Sequence, residues 1–308
     1  MPRRLRLFPT SKSAVTLRPR LACEVTLQGV VAARQEHDLE AAAITAFAAL
    51  LPGSVVPSLN APNFLQPPRV VAALKQALDQ VVERDRRVTL VVPDGAVRVL
   101  LLDFDAFPEK FAEALPIVRF RLRKLVPFEV DDAAVSYQVM TRQEGQVRAL
   151  VAVTPRGVLS EYEGVVREAG YEPGAVLPST LCAIAAIPGE SDALIVNRNA
   201  VCLTTAITRQ SEVLLHRTLE LPPGEENQAD IQQAVSVAIA YFEDSLSQEL
   251  ESLFYVGPGG AGELDSLLNQ PESGAPPVRV RDLVEPPASG VSPVPVGILA
   301  GVTGALAN

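Results

Sequence analysis

Histidine and cysteine are scarce here, two and three among 308 positions. His37 and His216 pair with no nearby cysteine and stand at no metal-ligand spacing, so zinc and nucleophile–base chemistry have little support. His216, beside Arg217 on an expected hairpin, reads as a surface or satisfied histidine. Cys23, Cys182 and Cys202 are odd in number and far apart, which fits neither a disulfide framework nor a metal pair. They read as buried small apolar side chains. Residues 286–308 carry no charge, and their end, VGILAGVTGALAN, is apolar. That run is about half of the roughly 20 residues a membrane-spanning helix needs, and Pro293 and Pro295 break its start. A final helix tucked into the core is the expectation. Following Arg3, Arg4 and Arg6, the stretch LFPTSKSAVTL is too short and too polar for a secretory signal, so a cytoplasmic location is expected.

What is present is an ordinary folding composition, 48% hydrophobic and 20% charged, over a length that suits two lobes. The net charge of −9 is uneven, since residues 1–20 contain Arg3, Arg4, Arg6, Lys12, Arg18 and Arg20 with no acidic residue. The body is therefore acidic, which argues against nucleic acid as a partner. The basic arm reads as a solvated terminus, with contact to an anionic membrane surface as the alternative.

Along the chain, LACEVTLQGVVAARQE from Leu21 reads as a strand hairpin with Gln28-Gly29 at its turn. Residues 39–51 are alanine-rich and assignable to no element. Beyond residues 60–63, Val70, Leu74, Leu78 and Val81 or Val82 repeat at helical spacing. A unit of alternating strands and helices spans 88–178. A second lobe opens with the strand-like ALIVNR, VCLTTAIT and EVLLHRTLEL, then a helix from Asp230 to about Leu250 with Ile231, Val235, Ala238, Phe242 and Leu246 on its buried stripe. LFYVGPGGAGELDSLLNQ is a strand, a glycine loop and a helix in that order. No repeat of fixed short period occurs, but strand hairpin followed by helix in both halves suits a two-lobed α/β fold of the actin and sugar-kinase type. Asp103/Asp105 and Asp131/Asp132 read as caps and solvated charges, and Asp94-Gly95 in VVPDGAV as a hairpin turn.

The most telling segment is FAEALPIVRFRLRKLVPFEVDDAAVSY, residues 111–137. Phe111, Leu115, Val118, Leu122 and Leu125 recur at helical spacing against Arg119, Arg121, Arg123 and Lys124, and Pro116 predicts a kink or restart. With VTLVVPDGAVRVLLLDF upstream and VRALVAVTPRGVLSEYEGVVREAGYEPGAV downstream, the order resembles the type IV pilus assembly protein PilM family, over about residues 60–177. The resemblance implies an actin-like (ribonuclease-H-like) fold with an inserted α+β subdomain. Its parts would be a first subdomain with the basic arm at 1–87, the insert at 88–178 and a second lobe at 179–308.

The family's nucleotide cleft gives the resemblance a test. Its first hairpin looks like Asp-Ile-Gly-Ser-Ser, where this chain has Glu24-Val25-Thr26-Leu27-Gln28, keeping a carboxylate but losing the glycine that admits phosphate. The second hairpin's Asp-x-Gly is replaced by Asn197-Arg198-Asn199, with a cation near the expected magnesium. Only the glycine loop persists, as Val256-Gly257-Pro258-Gly259-Gly260. Glu24, Gly257, Gly259 and Gly260 are thus the degenerate cofactor residues, with no catalytic and no metal residue expected. The implied activity is binding without turnover, with no cofactor expected and ATP with magnesium as the alternative. The implied partner is the N-terminal tail of a PilN-like membrane protein, in a groove using Phe120, Leu122, Val126, Pro127 and Phe128. The implied setting is the inner face of the inner membrane, beside a pilus motor ATPase. Other readings are an ATP-binding actin-like ATPase, or a cytoplasmic domain related to the type II secretion protein GspL.

Overall fold

The computed structural model describes residues 18–36, 43–143, 145–189, 191–222, 227–269, 278–285 and 294–307. The basic arm up to residue 17, His37 and the Pro/Gly loop at 270–277 lie outside the described residues.

Near-continuous apolar runs, buried on both faces, set the first hairpin, β1 (Leu21–Val25) and β2 (Gly29–Arg34), which β3 (Ile44–Ala49) extends antiparallel. The turn between β1 and β2 is closed by Thr26, whose hydroxyl accepts from the amides of Gln28 and Gly29. Its backbone amide bonds to the Gly29 carbonyl. The amphipathic α1 (Pro67–Val81) starts at prolines that need no amide partner and buries Val70, Leu74, Leu78 and Val81, the expected face. It returns the chain to β4 (Arg87–Val92), parallel to β1.

The insert follows, as β5 (Arg98–Phe104), α2 (Phe111–Leu122), β6 (Ala134–Gln143) and β7 (Gln146–Thr154). Its three-stranded sheet has the order β5-β7-β6. The chain then rejoins the first sheet through α3 (Arg156–Glu168) and β8 (Glu172–Pro178), parallel to β4. Gly170 ends α3 at φ +87°, letting Tyr171 N–H reach the Val166 carbonyl and Gly170 N–H that of Arg167. β4, α3 and β8 therefore belong to the first lobe, and the insert narrows from 88–178 to 98–154. The reason is backbone pairing: β4 bonds to β1 on one side and to β8 on the other, and neither bonds to the insert.

After α4 (Ser179–Ala185) the same construction recurs. β9 (Ala193–Arg198), β10 (Cys202–Arg209) and β11 (Glu212–Glu220) form an antiparallel meander. Then come α5 (Gln228–Leu246), β12 (Ser252–Val256), α6 (Ala261–Leu268), β13 (Arg279–Asp282) and α7 (Ala300–Leu306). The sheet orders β3-β2-β1-β4-β8 and β11-β10-β9-β12-β13 match strand for strand, with parallel and antiparallel pairs in equivalent places. α5 stops at Leu246, short of Leu250, because Ser247 takes the left-handed region at φ 53°.

The equivalent helices α4 and α7 meet where the two halves join. Gly304 makes this possible, since a Cβ there would overlap the Cys182 carbonyl. α7 buries Val302, Ala305 and Leu306 against Ala22, Val31, Val91 and Leu177, so this final helix is a core element. No described helix is long and apolar enough to cross a membrane. Cys23, Cys182 and Cys202 are free and buried, as expected.

In the insert the structure changes the expected stripe. α2 buries Ala114, Val118 and Leu122, while Phe111 and Leu125 are exposed. Pro116 sits within an unbroken helix. Its missing amide falls in an exposed turn and costs no buried bond.

Candidate functional site

Two concavities concern function. The first lies between the lobes, where the hairpin turn of β1 and β2, the 3-10 turn Asp94–Ala96, α4, the β9–β10 turn and the glycine loop converge on a cavity of about 80 Å³. Glu24 and Gly257 both line it, as do Thr26, Asn197 and Arg198. Glu24 and Gly257 lie more than two hundred positions apart in the chain, and Gly259 and Gly260 do not line this cavity.

Their local chemistry is that of a closed polar knot. The Glu24 carboxylate accepts from Ser179 Oγ at 2.6 Å. Burial pushes its pKa up to about 7; the Ser179 hydrogen bond opposes this and the nearby Asp94 adds to it. Asp94 is buried and holds the start of α4, accepting from Thr180 N–H at 3.1 Å and from the Thr180 hydroxyl. Asn197, from the second lobe, donates to Thr180 Oγ1 at 2.9 Å, Ser179 Oγ at 3.1 Å and Asp94 at 3.4 Å, so one carboxamide bridges the lobes. Asp94-Gly95 is accordingly not a hairpin turn, because β4 and β5 lie in different sheets. Punctuation by Pro93, Asp94 and Gly95 gave no hint of partners 86 residues away. His216 packs near this knot, buried and with neither ring nitrogen hydrogen-bonded among the described residues. It is neither at the surface nor satisfied, and burial lowers its pKa.

The glycine loop faces the protein's own C-terminal segment. Gly257, Gly259 and Gly260 have φ of 157°, 80° and 71°, where side chains strain. Gly257 N–H bonds to the Gly297 carbonyl, and a Cβ on Gly260 would meet Val296 and Asp282. Asp282 accepts from Ala261 N–H at 2.9 Å and so caps α6. Arg198 forms an ion pair with Glu263 at 2.8 Å. On the other flank Gly301 abuts Glu24, where a Cβ would overlap the carboxylate.

The second concavity is larger, about 510 Å³, between the insert and the first lobe. One wall is the face of β6 and β7 that carries Ala134, Ser136, Gln138, Leu150 and Ala152; the other is α3 with Val158, Leu159 and Tyr162, together with β8. β6 and β8 end their sheets, so among the described residues each presents an unpaired backbone edge. Pro173 and Pro178 are tolerated in β8 because it is such an edge.

None of Phe120, Leu122, Val126, Pro127 and Phe128 lines this groove. Leu122 is fully buried in the insert's own core, Val126 and Phe128 pack against that core, and Phe120 and Pro127 point to solvent, Phe120 at 64% exposure. Two arginines of the basic cluster beside them, Arg119 and Arg123, are engaged within the insert. Arg119 donates to the carbonyls of Val130, Asp131 and Ala133, and Arg123 pairs with Asp131 at 2.7 Å. Asp103 and Asp132 pair with Arg148 and Arg156 on the surface, and no described group of His, Cys, Asp and Glu is placed to hold a metal.

No family model and no curated protein matches the sequence. Among solved structures, a chain of the PilM–PilN type IV pilus biogenesis complex superposes with a TM-score of 0.65 at 16% identity, covering 86% of this chain and 88% of that one. The cytoplasmic domain of EpsL, an inner-membrane component of the type II secretion system of Vibrio cholerae, gives 0.47 at 13%, covering 77% and 82%. A Bacteroides thetaiotaomicron protein of actin-like ATPase fold and unknown function gives 0.49 at 12%, covering 85% and 89%. The first, joined to the duplicated sheet order and the three-stranded insert, shows that the chain has the two-lobed actin-like α/β fold, shared with the PilM–PilN chain.

Proposed function

We propose that the chain is a cytoplasmic scaffold of a type IV pilus or related secretion platform, at the inner face of the membrane. It binds the extended N-terminal tail of a PilN-like membrane protein in the groove between the insert and the first lobe. Contacts with a pilus motor ATPase and with the membrane surface belong to the same proposal. The observation that carries it is a groove of about 510 Å³ bordered by two strand edges, β6 and β8, that are unpaired among the described residues. Unpaired edges offer backbone hydrogen bonds to an added strand, and apolar walls offer pockets to its side chains. The volume is in the range of ligand sites, about 300–1,000 Å³.

The interlobe cleft supports the other half of the reading, a pseudo-ATPase. Its cavity of about 80 Å³ is below what a nucleotide occupies. The donor set also does not fit magnesium and triphosphate. Asp282 already caps α6, the C-terminal segment covers the glycine loop, and Glu24 is buried and held by Ser179, where its charged form is disfavoured.

The test is fluorescence anisotropy with a labelled synthetic peptide of the PilN-like tail. Saturable binding to the wild-type protein, lost in Ala152→Trp, which fills the groove, is the expected outcome. Equal binding by both proteins removes the groove from consideration.

A further inference from the structure

The groove has a candidate occupant in the chain itself. The Arg20 carbonyl still accepts from Gln35 N–H at the open end of the β1–β2 hairpin. One residue earlier the Pro19 ring lies against β8, where a Cβ on Gly174 would meet it at 3.1 Å. β4 stands between β1 and β8, so the chain crosses β4 and leaves the described residues on the β8 side. Gly174 is itself a lining residue of the groove. Residues 1–17 therefore join the body at the groove's rim, beside the open edge of β8.

Length and chemistry agree with this exit. Nine residues, 9–17, can extend about 30 Å, and the seven residues of β8 run about 23 Å, so residues 4–8 can reach any point along that edge. In the sequence Leu5 and Leu7 alternate with Arg4 and Arg6, a period that suits an extended segment with one apolar and one basic side. The groove walls are apolar, and of the described residues that line them Glu163 on α3 is the only charged one. Its ion pair with Arg167, at 2.8 Å, lies at the surface, where such pairs are weak and exchange partners readily. Residues 1–17 carry four cations and no anion, in a chain of net charge −9.

We propose that residues 4–8 are an intramolecular ligand of the groove, matching its apolar walls with Leu5 and Leu7 and Glu163 with Arg4 or Arg6, so that a partner's tail must displace them. This rests on the groove reading above and adds regulation to it. A short tether gives an effective concentration on the order of millimolar. With a groove affinity of about 0.1 mM the segment fills the groove about nine-tenths of the time, and the partner's apparent affinity falls about tenfold.

The test uses the full-length chain with a photoreactive benzophenone amino acid in place of Leu7, irradiated with no ligand added and digested for mass spectrometry. Cross-links within one chain to the peptides of α3, β6 or β8 are expected, and they are lost when Ala152→Trp fills the groove. Cross-links elsewhere, none at all, or cross-linked dimers, which mean the segment of a second copy, overturn the proposal. In parallel the labelled PilN-like tail peptide is titrated by anisotropy into wild type and into a Leu5→Ser/Leu7→Ser variant, whose changes lie outside the described residues. The variant is expected to bind about tenfold more tightly. Equal affinity overturns the proposal and leaves the groove reading standing. If neither protein binds the tail while the cross-links fall in the groove, the partner reading fails and the intramolecular ligand stands.

Discussion

Replacing Glu24 with glutamine probes the interlobe knot through its proton. In the folded chain Glu24 titrates at about 7, whereas its ordinary value is 4.5. The folded state therefore holds this proton between those two values while the unfolded chain has released it. Stability from this group is complete below about pH 4.5 and is lost as pH rises through about 7. At about 1.4 kcal/mol per pH decade, the loss above pH 7 amounts to about 3 kcal/mol. Glutamine keeps the acceptor for Ser179 Oγ and carries no charge, so it escapes the loss. Denaturant melts of wild type and Glu24→Gln at pH 5 and pH 8 read the effect directly. The expected outcome is near-equal stability at pH 5 and a variant more stable by about 3 kcal/mol at pH 8. A pH-independent difference, or a variant weaker at pH 8, refutes the argument that Glu24 is a dehydrated carboxyl rather than a solvated metal ligand.

Other outcomes follow from particular contacts. Asn197→Ala removes the carboxamide that ties the lobes and leaves its buried acceptors short of a donor, so a loss of about 1–3 kcal/mol is expected in urea melts. Gly301→Val drives a side chain into the Glu24 carboxylate and should lower the melting temperature by several degrees, with α7 displaced from β1. Leu122→Ala should cost about 2–5 kcal/mol through a cavity in the insert, whereas Phe120→Ser should stay within about 0.5 kcal/mol and leave tail-peptide binding unchanged. Ser247→Gly relieves a left-handed residue at the end of α5 and should raise the melting temperature.

Much of the fold is legible in the chain because local patterns coincide with global ones. Val70, Leu74 and Leu78 mark α1, and the hairpins that open each half are written in their short apolar runs broken by a turn. The glycine loop and Glu24 are recognisable by motif, and they do share a cavity. What local patterns do not carry is strand pairing between distant segments. β8, separated from β4 by the whole insert, reads as part of that insert until its hydrogen bonds are seen. The same limit hides Asp94, whose partners Thr180 and Asn197 lie in other elements, and moves the groove away from residues 120–128. Hydrophobic spacing in α2 identifies a helix but not which residues face inward. Phe111 and Leu125 fit the period and are exposed, while the small Ala114 takes the core position.

The central claim, a groove that binds a protein tail beside a cleft that does not take a nucleotide, is tested most directly by thermal shift of the intact protein. The two ligands are the PilN-like tail peptide and magnesium–ATP, each added separately. A ligand present at about a hundred times its dissociation constant stabilises by about 2.7 kcal/mol, which is readily seen. The account predicts a clear rise in melting temperature with the peptide and none with magnesium–ATP. A rise with magnesium–ATP and none with the peptide contradicts it.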